Sequence, residues 1–169
     1  MKWRLISQLT LFDIGWFLAV FGAGQWLGWQ LVITALMLML LTPGQHRIWP
    51  ILFAAGVGLD LLLALGEILT FDAETLLPIP AFLIILWTQF SIFTTVLLNR
   101  LPKSSLSLSL ICGSCGAIGY YLGSWFGAVQ LTPSPLVGTL IIGVGWILLF
   151  PGVIRFLQKQ RSTKMEVKT

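Results

Sequence analysis

The chain has 169 residues, of which 57% are hydrophobic and only 9% are charged, and its mean hydropathy is +0.93. A soluble domain carries about 25% charged residues, so this composition excludes an ordinary soluble domain and predicts an integral membrane protein. Six spans of about 20 residues would use most of the chain, and we therefore expect a single membrane domain over 1–169. The net charge of +4 does not indicate a nucleic-acid partner, because the basic residues are scattered and lack interleaved aromatic residues.

The first apolar stretch, about 5–41, is too long for one membrane span and short for two. Its middle, FGAGQWLGWQ, contains three glycines and two glutamines, which suit a tight turn between helices. We therefore predict two spans, over 5–22 and 26–41. The basic start of the chain looks superficially like a signal peptide, but no small-residue cleavage site follows, so we interpret it as a retained first span.

Four further apolar stretches follow, and they predict spans over 49–71, 79–98, 105–128 and 136–157. The predicted fold class is all-α: a polytopic membrane protein with a bundle of six transmembrane helices. With six spans, all 10 Lys and Arg residues fall on the side of the two termini and none falls in the opposite loops. The positive-inside rule then predicts that both termini are cytoplasmic, in a bacterial inner membrane. Five tryptophans fall near the predicted interfaces, where they would act as anchors: Trp3, Trp26, Trp29, Trp49 and Trp125.

Four polar residues interrupt the predicted spans: Asp13, Asp60, Glu67 and Gln89. At 1.5 Å per residue, Asp13, Asp60 and Gln89 lie roughly 15 Å from the span ends, near the middle of a hydrocarbon core about 30 Å thick. An ionised aspartate there costs about 2.5–3.5 kcal/mol, and no Lys or Arg is available at that depth. We therefore expect a polar stripe inside the bundle, where Asp60 is protonated, bonded to Gln89 or Asp13, or placed in a water-filled cavity. The spacing of seven predicts that Glu67 lies on the same face as Asp60, near the outer surface. A structural role and a functional role both remain open for these residues.

Small residues recur at intervals of four in the fifth span, at Cys115, Gly119, Gly123 and Gly127. Such a ridge permits close approach of another helix, so we expect helix packing at Gly119, Gly123 and Gly127. Cys112 completes a C-x-x-C pair, but a membrane span is the wrong context for a thioredoxin-like redox site. Pro151 should kink the sixth span near its cytoplasmic end.

The chain has one histidine, His46, which falls in a predicted loop. The ligand count excludes histidine-rich di-iron sites and zinc-protease sites. No P-loop and no G-x-S-x-G sequence is present. We therefore expect neither a metal nor a cofactor.

Four segments carry a resemblance to a known family: LFDIGWFLAVFGAG, GVGLDLLLALGEILTF, IPAFLIILWTQFSIFTTVLLNRL and GWILLFPGVIRFL. Their order, with Gly15, Trp16, Asp60, Trp87 and Pro151 within them, is similar to the bacterial inner-membrane family catalogued as domain of unknown function 2878. The resemblance covers nearly the whole chain and implies no established activity. It implies company with lipid-modifying enzymes, such as cyclopropane-fatty-acid-synthase-like methyltransferases, in bacterial gene clusters.

Two hypotheses of function follow from the residues. In the first, the protein is non-catalytic and binds a membrane lipid or a small apolar molecule, or supports a membrane enzyme or transporter as its partner. Six spans in a short chain also resemble the substrate-binding subunits of energy-coupling-factor vitamin transporters, which is an analogy of fold alone. In the alternative, the protein is an intramembrane lipid-modifying enzyme that uses Asp60, with Asp13 or Glu67, as acid and base.

Overall fold

The computed structural model describes residues 2–72, 77–102 and 104–166. These residues form six helices and one short two-stranded ribbon. The helices are α1 (Lys2–Gly22), α2 (Leu27–Met39), α3 (Trp49–Leu65), α4 (Ala81–Leu97), α5 (Ser105–Trp125) and α6 (Pro135–Glu166). The strands are β1 (Leu69–Thr70) and β2 (Gln130–Leu131), which pair antiparallel.

The all-helical class is confirmed, and three of the helices are long and apolar enough to cross a membrane. They are α1 from Trp3 to Gly22, α5 from Leu106 to Trp125 and α6 from Pro135 to Gln160. The other three helices are equally apolar but have only 13 to 17 residues, which gives lengths of about 20 to 25 Å. Many large apolar side chains point outward, among them Met39 and Leu148, which are 80% and 77% exposed. The long apolar helices and these outward-facing side chains indicate a membrane protein.

Helix α4 is the centre of the bundle. It packs against α1, α2 and α3, while α6 packs against α3 and α5. Eight of its side chains are buried, and they point in several directions around the helix axis. A helix that is apolar on most faces is expected at such a position. The order of packing leaves α1 and α5 on either side of a gap that the candidate site occupies.

Helices α1 and α4 run in opposite directions. Phe12 of α1 stacks on Phe93 of α4, and Gly15 of α1 lies against Gln89. Residue numbers therefore increase along α1 as they decrease along α4, so the two helices are antiparallel. At one end of the bundle the Gln8 amide donates to the Met37 carbonyl, which joins the start of α1 to the end of α2. At the same end the amide of Gln158 donates to the carbonyl of Leu98, which joins α6 to the end of α4.

We call this end the basic end, because the described Lys and Arg residues lie there, and the opposite end the ribbon end, because β1 and β2 lie there. Among the ten basic residues of the predicted charge pattern, Lys103 and Lys168 lie outside the described residues. The side chains of Lys2, Arg161 and Lys164 do so as well.

The turn predicted inside 5–41 is present. Helix α1 ends at Gly22 and α2 begins at Leu27, and between them Ala23 and Gly24 have φ angles of 40° and 95°. A left-handed backbone is common for glycine and uncommon for other residues. The glycine cluster therefore marks a break between two helices rather than a flexible point in one long helix.

Helix α3 ends earlier than predicted, and this moves Glu67 off the helix. The predicted span reached residue 71, whereas α3 ends at Leu65. The N–H of Ile68 donates to the Leu63 carbonyl at 2.9 Å, and Glu67 has a φ of 57°, which is the Schellman arrangement that terminates helices. Glu67 is exposed in this turn, so the spacing of seven does not place it on the Asp60 face.

Helix α5 ends in the same way, with Gly127 in the position that Glu67 occupies after α3. The N–H of Ala128 donates to the Gly123 carbonyl at 2.9 Å, and Gly127 has a φ of 78°. Gly127 is therefore a helix-terminating residue, and a Cβ there would meet nothing within 4 Å, so no described helix packs against it. The two matching turns lead into β1 and β2, whose pairing joins the α3–α4 and α5–α6 connections.

The close contact between α5 and α6 is made by other glycines than those predicted. A Cβ atom at Gly113 would lie 2.5 Å from Ile147 Cγ1, and one at Gly116 would lie 2.4 Å from the Trp146 ring. At Gly119 a Cβ would meet nothing within 4 Å, and at Gly123 it would meet only Val129 at 3.4 Å. No helix of the described chain therefore makes the predicted close contact at Gly119 or Gly123, which lie nearer the end of α5 than Gly113 and Gly116 do.

Candidate functional site

Asp60 is the acceptor at the centre of a buried three-helix cluster. Its carboxyl group is fully buried on α3. Trp87 of α4 donates its indole N–H to Asp60 Oδ2 at 2.5 Å, and the Tyr120 hydroxyl of α5 donates to the same oxygen. Hydrogen bonds to a carboxylate are about twice as strong as those between neutral groups. The carboxyl group thus ties α4 and α5 to α3 in the interior of the bundle.

A glycine on α3 makes room for this arrangement. A Cβ atom at Gly56 would lie 2.1 Å from the Trp87 ring, so only glycine lets the indole lie flat against α3. Position 56 is one turn before Asp60, on the same face of the helix. Gly56 therefore makes room for the ring of Trp87, and Asp60 accepts its N–H group.

On its other side the Trp87 ring belongs to an aromatic cluster between α4 and α6. Its centroid lies 5.4 Å from Trp146 and 5.6 Å from Phe150, and both pairs are stacked. Phe90 completes the cluster with an edge-on contact to Trp146 at 5.3 Å. Such pairs contribute about 0.5–1.5 kcal/mol each beyond the area they bury. The position of the indole is thus fixed from both sides.

A cavity of about 250 Å³ adjoins this cluster. Its walls come from α1 and α5, and α4 lines its base. Tyr120 and Trp87 of the hydrogen-bonded cluster border it, and so does Trp146 of the aromatic cluster. Most other lining residues are apolar, and nearly half of the lining residues are aromatic; among the apolar ones are Phe12, Trp16, Phe82, Phe90 and Phe93. Gly119 and Gly123 also line it, which explains why their missing side chains leave open space instead of a helix contact.

Two polar atoms at this site lack a hydrogen-bond partner among the described residues. They are Asp60 Oδ1 and the indole nitrogen Nε1 of Trp146. Buried polar groups are nearly always paired, so each unpaired one calls for an explanation. An unpaired N–H group on a residue that lines an apolar cavity offers a donor to a ligand carrying an oxygen acceptor.

Gln89 belongs to a separate polar cluster between α1, α2 and α4. Its amide donates to the Gln30 carbonyl and to the Thr34 hydroxyl, each at 3.0 Å. Gly15 of α1 lies so close to Gln89 that a Cβ there would come within 2.1 Å of its Oε1. The cluster holds three helices together and does not border the cavity, which is typical of a structural role.

The predicted polar stripe is therefore not one group of residues. Asp60 and Gln89 are both buried, but they bond to different partners on different sides of α4. Asp13 is exposed on the outer face of α1, and Glu67 is exposed in the turn after α3. The expected bond between Asp60 and Gln89 or Asp13 is replaced by the bonds to Trp87 and Tyr120, because α4 and α5 present those donors to the Asp60 face of α3.

Tyr120 and Trp146 are site residues that the sequence reasoning missed. Each combines a large ring with one polar group, and such residues usually find a partner when buried. A tyrosine in the second half of an otherwise apolar span was a usable signal for a buried polar partner. Tyr120 lies five residues before the end of α5, and Asp60 lies five residues before the end of α3. Tryptophans were predicted to be anchors only where they fell near a predicted interface. Trp146 falls within the sixth predicted span, so no role was predicted for it.

The remaining candidates do not assemble into a site. Cys112 is buried and Cys115 is exposed, and both are free thiols. His46 is exposed in the connection between α2 and α3. Among the residues that the structure describes, no three His, Cys, Asp or Glu side chains lie close enough to hold a metal ion.

The family model described as protein of unknown function DUF2878 matches residues 5–152. The match covers most of the chain, and the chain therefore belongs to this family. No curated protein and no solved structure matches it. Three residues that carried the resemblance in the sequence meet at the site: Trp16 lines the cavity, and Asp60 and Trp87 form the hydrogen bond. Gly15, a fourth, packs on Gln89 in the separate polar cluster.

Proposed function

We propose that this member of the DUF2878 family is a non-catalytic bacterial inner-membrane protein with six spans, which binds the apolar part of a membrane lipid in the cavity between α1 and α5. The observation that carries the proposal is the cavity itself. It is apolar, rich in aromatic side chains and situated between two helices that are each long enough to cross a bilayer. A ligand can therefore enter sideways from the hydrocarbon core.

The size of the cavity favours a ring or a section of an acyl or isoprenoid chain. An engineered apolar cavity of about 150 Å³ is large enough to bind benzene, and this one has about 250 Å³. A complete phospholipid does not fit. The ligand is then either small, or a lipid that inserts one part of its chain and leaves the rest among neighbouring lipids.

Polar groups on residues that line the cavity favour a ligand with one oxygen atom near its apolar end. The N–H of Trp146 lacks an acceptor among the described residues, and the Tyr120 oxygen keeps lone pairs after its hydroxyl donates to Asp60. A hydroxyl, ester or ketone oxygen can accept from this indole. Buried polar groups of this kind give a site specificity, because a ligand without the matching atom leaves them unpaired.

The arrangement of the ends supports six spans with both termini in the cytoplasm. Arg4, Arg47, Arg100 and Arg155 all lie at the basic end. Helices α1, α3 and α5 begin at this end and α2, α4 and α6 end there, as six spans require. Trp3 lies at the basic end, while Trp26, Trp29 and Trp125 lie at the ribbon end, and all four are exposed. The 21 residues of α1 measure about 31 Å, which matches a hydrocarbon core of about 30 Å. A reporter enzyme fused after Thr169 should be active only as a cytoplasmic fusion, and a periplasmic signal there would contradict this topology.

The second carboxylate that the enzyme hypothesis required, from Asp13 or Glu67, does not lie beside Asp60. Asp13 and Glu67 are exposed on other parts of the molecule, and the groups beside Asp60 are an indole and a phenol. These two donors hold the Asp60 carboxyl group in place, and no second acid–base pair lies next to it among the described residues. The arrangement therefore favours binding over proton transfer.

The test is to fill the cavity without disturbing the fold. Gly119→Leu adds a side chain where a Cβ meets nothing within 4 Å, and so does the matched control Gly152→Leu, which lies outside the cavity on exposed α6 surface. Native mass spectrometry of the detergent-extracted proteins should detect a co-purified lipid or apolar molecule on the wild type and on Gly152→Leu. The Gly119→Leu protein should have lost it. Equal occupancy in all three proteins, or none in the wild type, would contradict the proposal.

A further inference from the structure

Asp13 lies exposed near the middle of α1, on a face whose contact with the rest of the described chain is made by Phe17, which stacks on Trp26. The large side chains around it are apolar and exposed, including Ile6 at 62%, Phe17 at 49% and Leu9 at 45%. We call these four residues the Asp13 face. Helix α1 is one of the three helices that are long and apolar enough to cross a membrane, so this face places a carboxyl group against the hydrocarbon core.

A carboxyl group in that position costs free energy, and no other side chain of α1 that the structure describes pairs with it. Charged side chains within membrane spans almost always face the protein interior or pair with another group. Long Lys and Arg side chains can reach the interface from within a span, but an aspartate side chain is too short to do so from a depth of roughly 15 Å. Among the described residues, no hydrogen bond or ion pair involves Asp13.

A second copy of the chain is a poor partner for this face. All 10 Lys and Arg residues lie within 2–4, 47, 100–103 or 155–168 of the sequence, and those that the structure describes lie at helix ends and connections at the basic end. Two copies related by a twofold axis along the membrane normal would bring Asp13 against Asp13, and like charges at close range repel. The complementary charge must come from a different chain.

We infer that the Asp13 face is a docking surface for a transmembrane helix of another protein that carries a lysine or arginine near the middle of the membrane. The apolar side chains of the face supply the packing contact, and Asp13 supplies the specificity. This inference uses a different side of α1 from the cavity, so it stands independently of the proposed ligand.

The experiment uses a synthetic membrane-spanning peptide as the probe. The full-length protein, labelled with a fluorescence donor at its amino terminus, is reconstituted in phosphatidylcholine vesicles with an acceptor-labelled polyleucine helix that has one central arginine. Interhelical polar pairs in membranes contribute about 1–2 kcal/mol in model peptides, so energy transfer should show association about tenfold tighter than with an all-leucine peptide. A peptide with its arginine near one end should behave like the all-leucine peptide.

Variants of the protein complete the test. Asp13→Leu should fold, because the residue is exposed, and should lose the preference for the arginine peptide. Asp13→Lys should instead prefer a peptide with a central glutamate. The matched control is Glu67→Leu, which removes an exposed carboxylate at the ribbon end and should leave the preference unchanged.

Two results would overturn the inference. If the wild type binds the arginine and leucine peptides equally, Asp13 faces lipid alone. If energy transfer between two differently labelled copies of the protein is strong and Asp13→Leu abolishes it, the face is an interface between copies of this chain.

Discussion

Glycines at different levels of helix α5 have opposite uses. Toward α6, Gly113 and Gly116 lie directly beneath the side chains of Ile147 and Trp146, so the absent side chains allow contact. Toward α1, Gly119 and Gly123 border the cavity, so the absent side chains leave space. The comparison teaches that a row of small residues predicts either a close helix contact or a cavity wall, and that its spacing alone does not distinguish them.

The largest expected effect comes from breaking the bond that holds the cavity face of α5 to α3. Asp60→Leu removes the acceptor of both Trp87 and Tyr120, and each donor left unpaired in the interior costs about 1–3 kcal/mol. Asp60→Asn keeps an acceptor oxygen and should cost less than Asp60→Leu. The measurement is the thermal unfolding of both variants in detergent. A leucine variant that is more stable than the wild type would show that this buried bond does not hold the helices together.

A smaller effect should separate the two uses of glycine on α5 directly. Gly116→Leu places a side chain against the Trp146 ring, and overpacking of this kind costs about 1–3 kcal/mol. Gly119→Leu enters open space and should be neutral or stabilising by up to about 1 kcal/mol, since leucine favours a helix more than glycine does. Unfolding temperatures of the two variants, measured side by side, provide the comparison. Equal destabilisation by both would mean that Gly119 is also a helix contact.

The smallest effect concerns the two matching helix ends. Glu67 adopts the left-handed backbone that Gly127 adopts after α5, and a residue with a side chain pays for that conformation. Glu67→Gly should therefore stabilise the protein by up to about 1 kcal/mol, with Glu67→Gln as the control for loss of charge. The readout is again thermal unfolding in detergent. If Glu67→Gly destabilises the protein, the Glu67 side chain makes a contact that outweighs the backbone strain.

The sequence predicted the helices better than it predicted their faces. Apolar length and the glycine cluster around Gly22 and Gly24 separate α1 from α2, because both signals are local. The end of α3 was misplaced, since Ile68, Leu69 and Phe71 continue the apolar pattern and no Gly or Asn stands at the left-handed position that Glu67 occupies. Apolarity extends through a short strand as readily as through a helix, so it does not locate this boundary.

The site was predictable in part. Burial of Asp60 followed from the cost of exposing a carboxylate to lipid, and Asp60 is fully buried. Asp13 was expected inside the bundle for the same reason, but it is exposed on α1, because the cost of placing a carboxyl group in lipid does not determine which face of a helix is covered. Tyr120 was not found, since pairing a donor on α5 with an acceptor on α3 requires the packing order of the helices, which no local pattern contains.

The most direct test of the central claim is to map where an apolar chain binds. A fatty acid with a photoreactive diazirine in the middle of its chain is incorporated into vesicles with the protein, activated by light and located by peptide mass spectrometry. The account predicts cross-links concentrated on cavity residues such as Trp16, Cys115 and Tyr120, and their loss in Gly119→Leu but not in Gly152→Leu. Cross-links spread evenly over outward-facing residues such as Leu148 and Met39, and unchanged in Gly119→Leu, would contradict it.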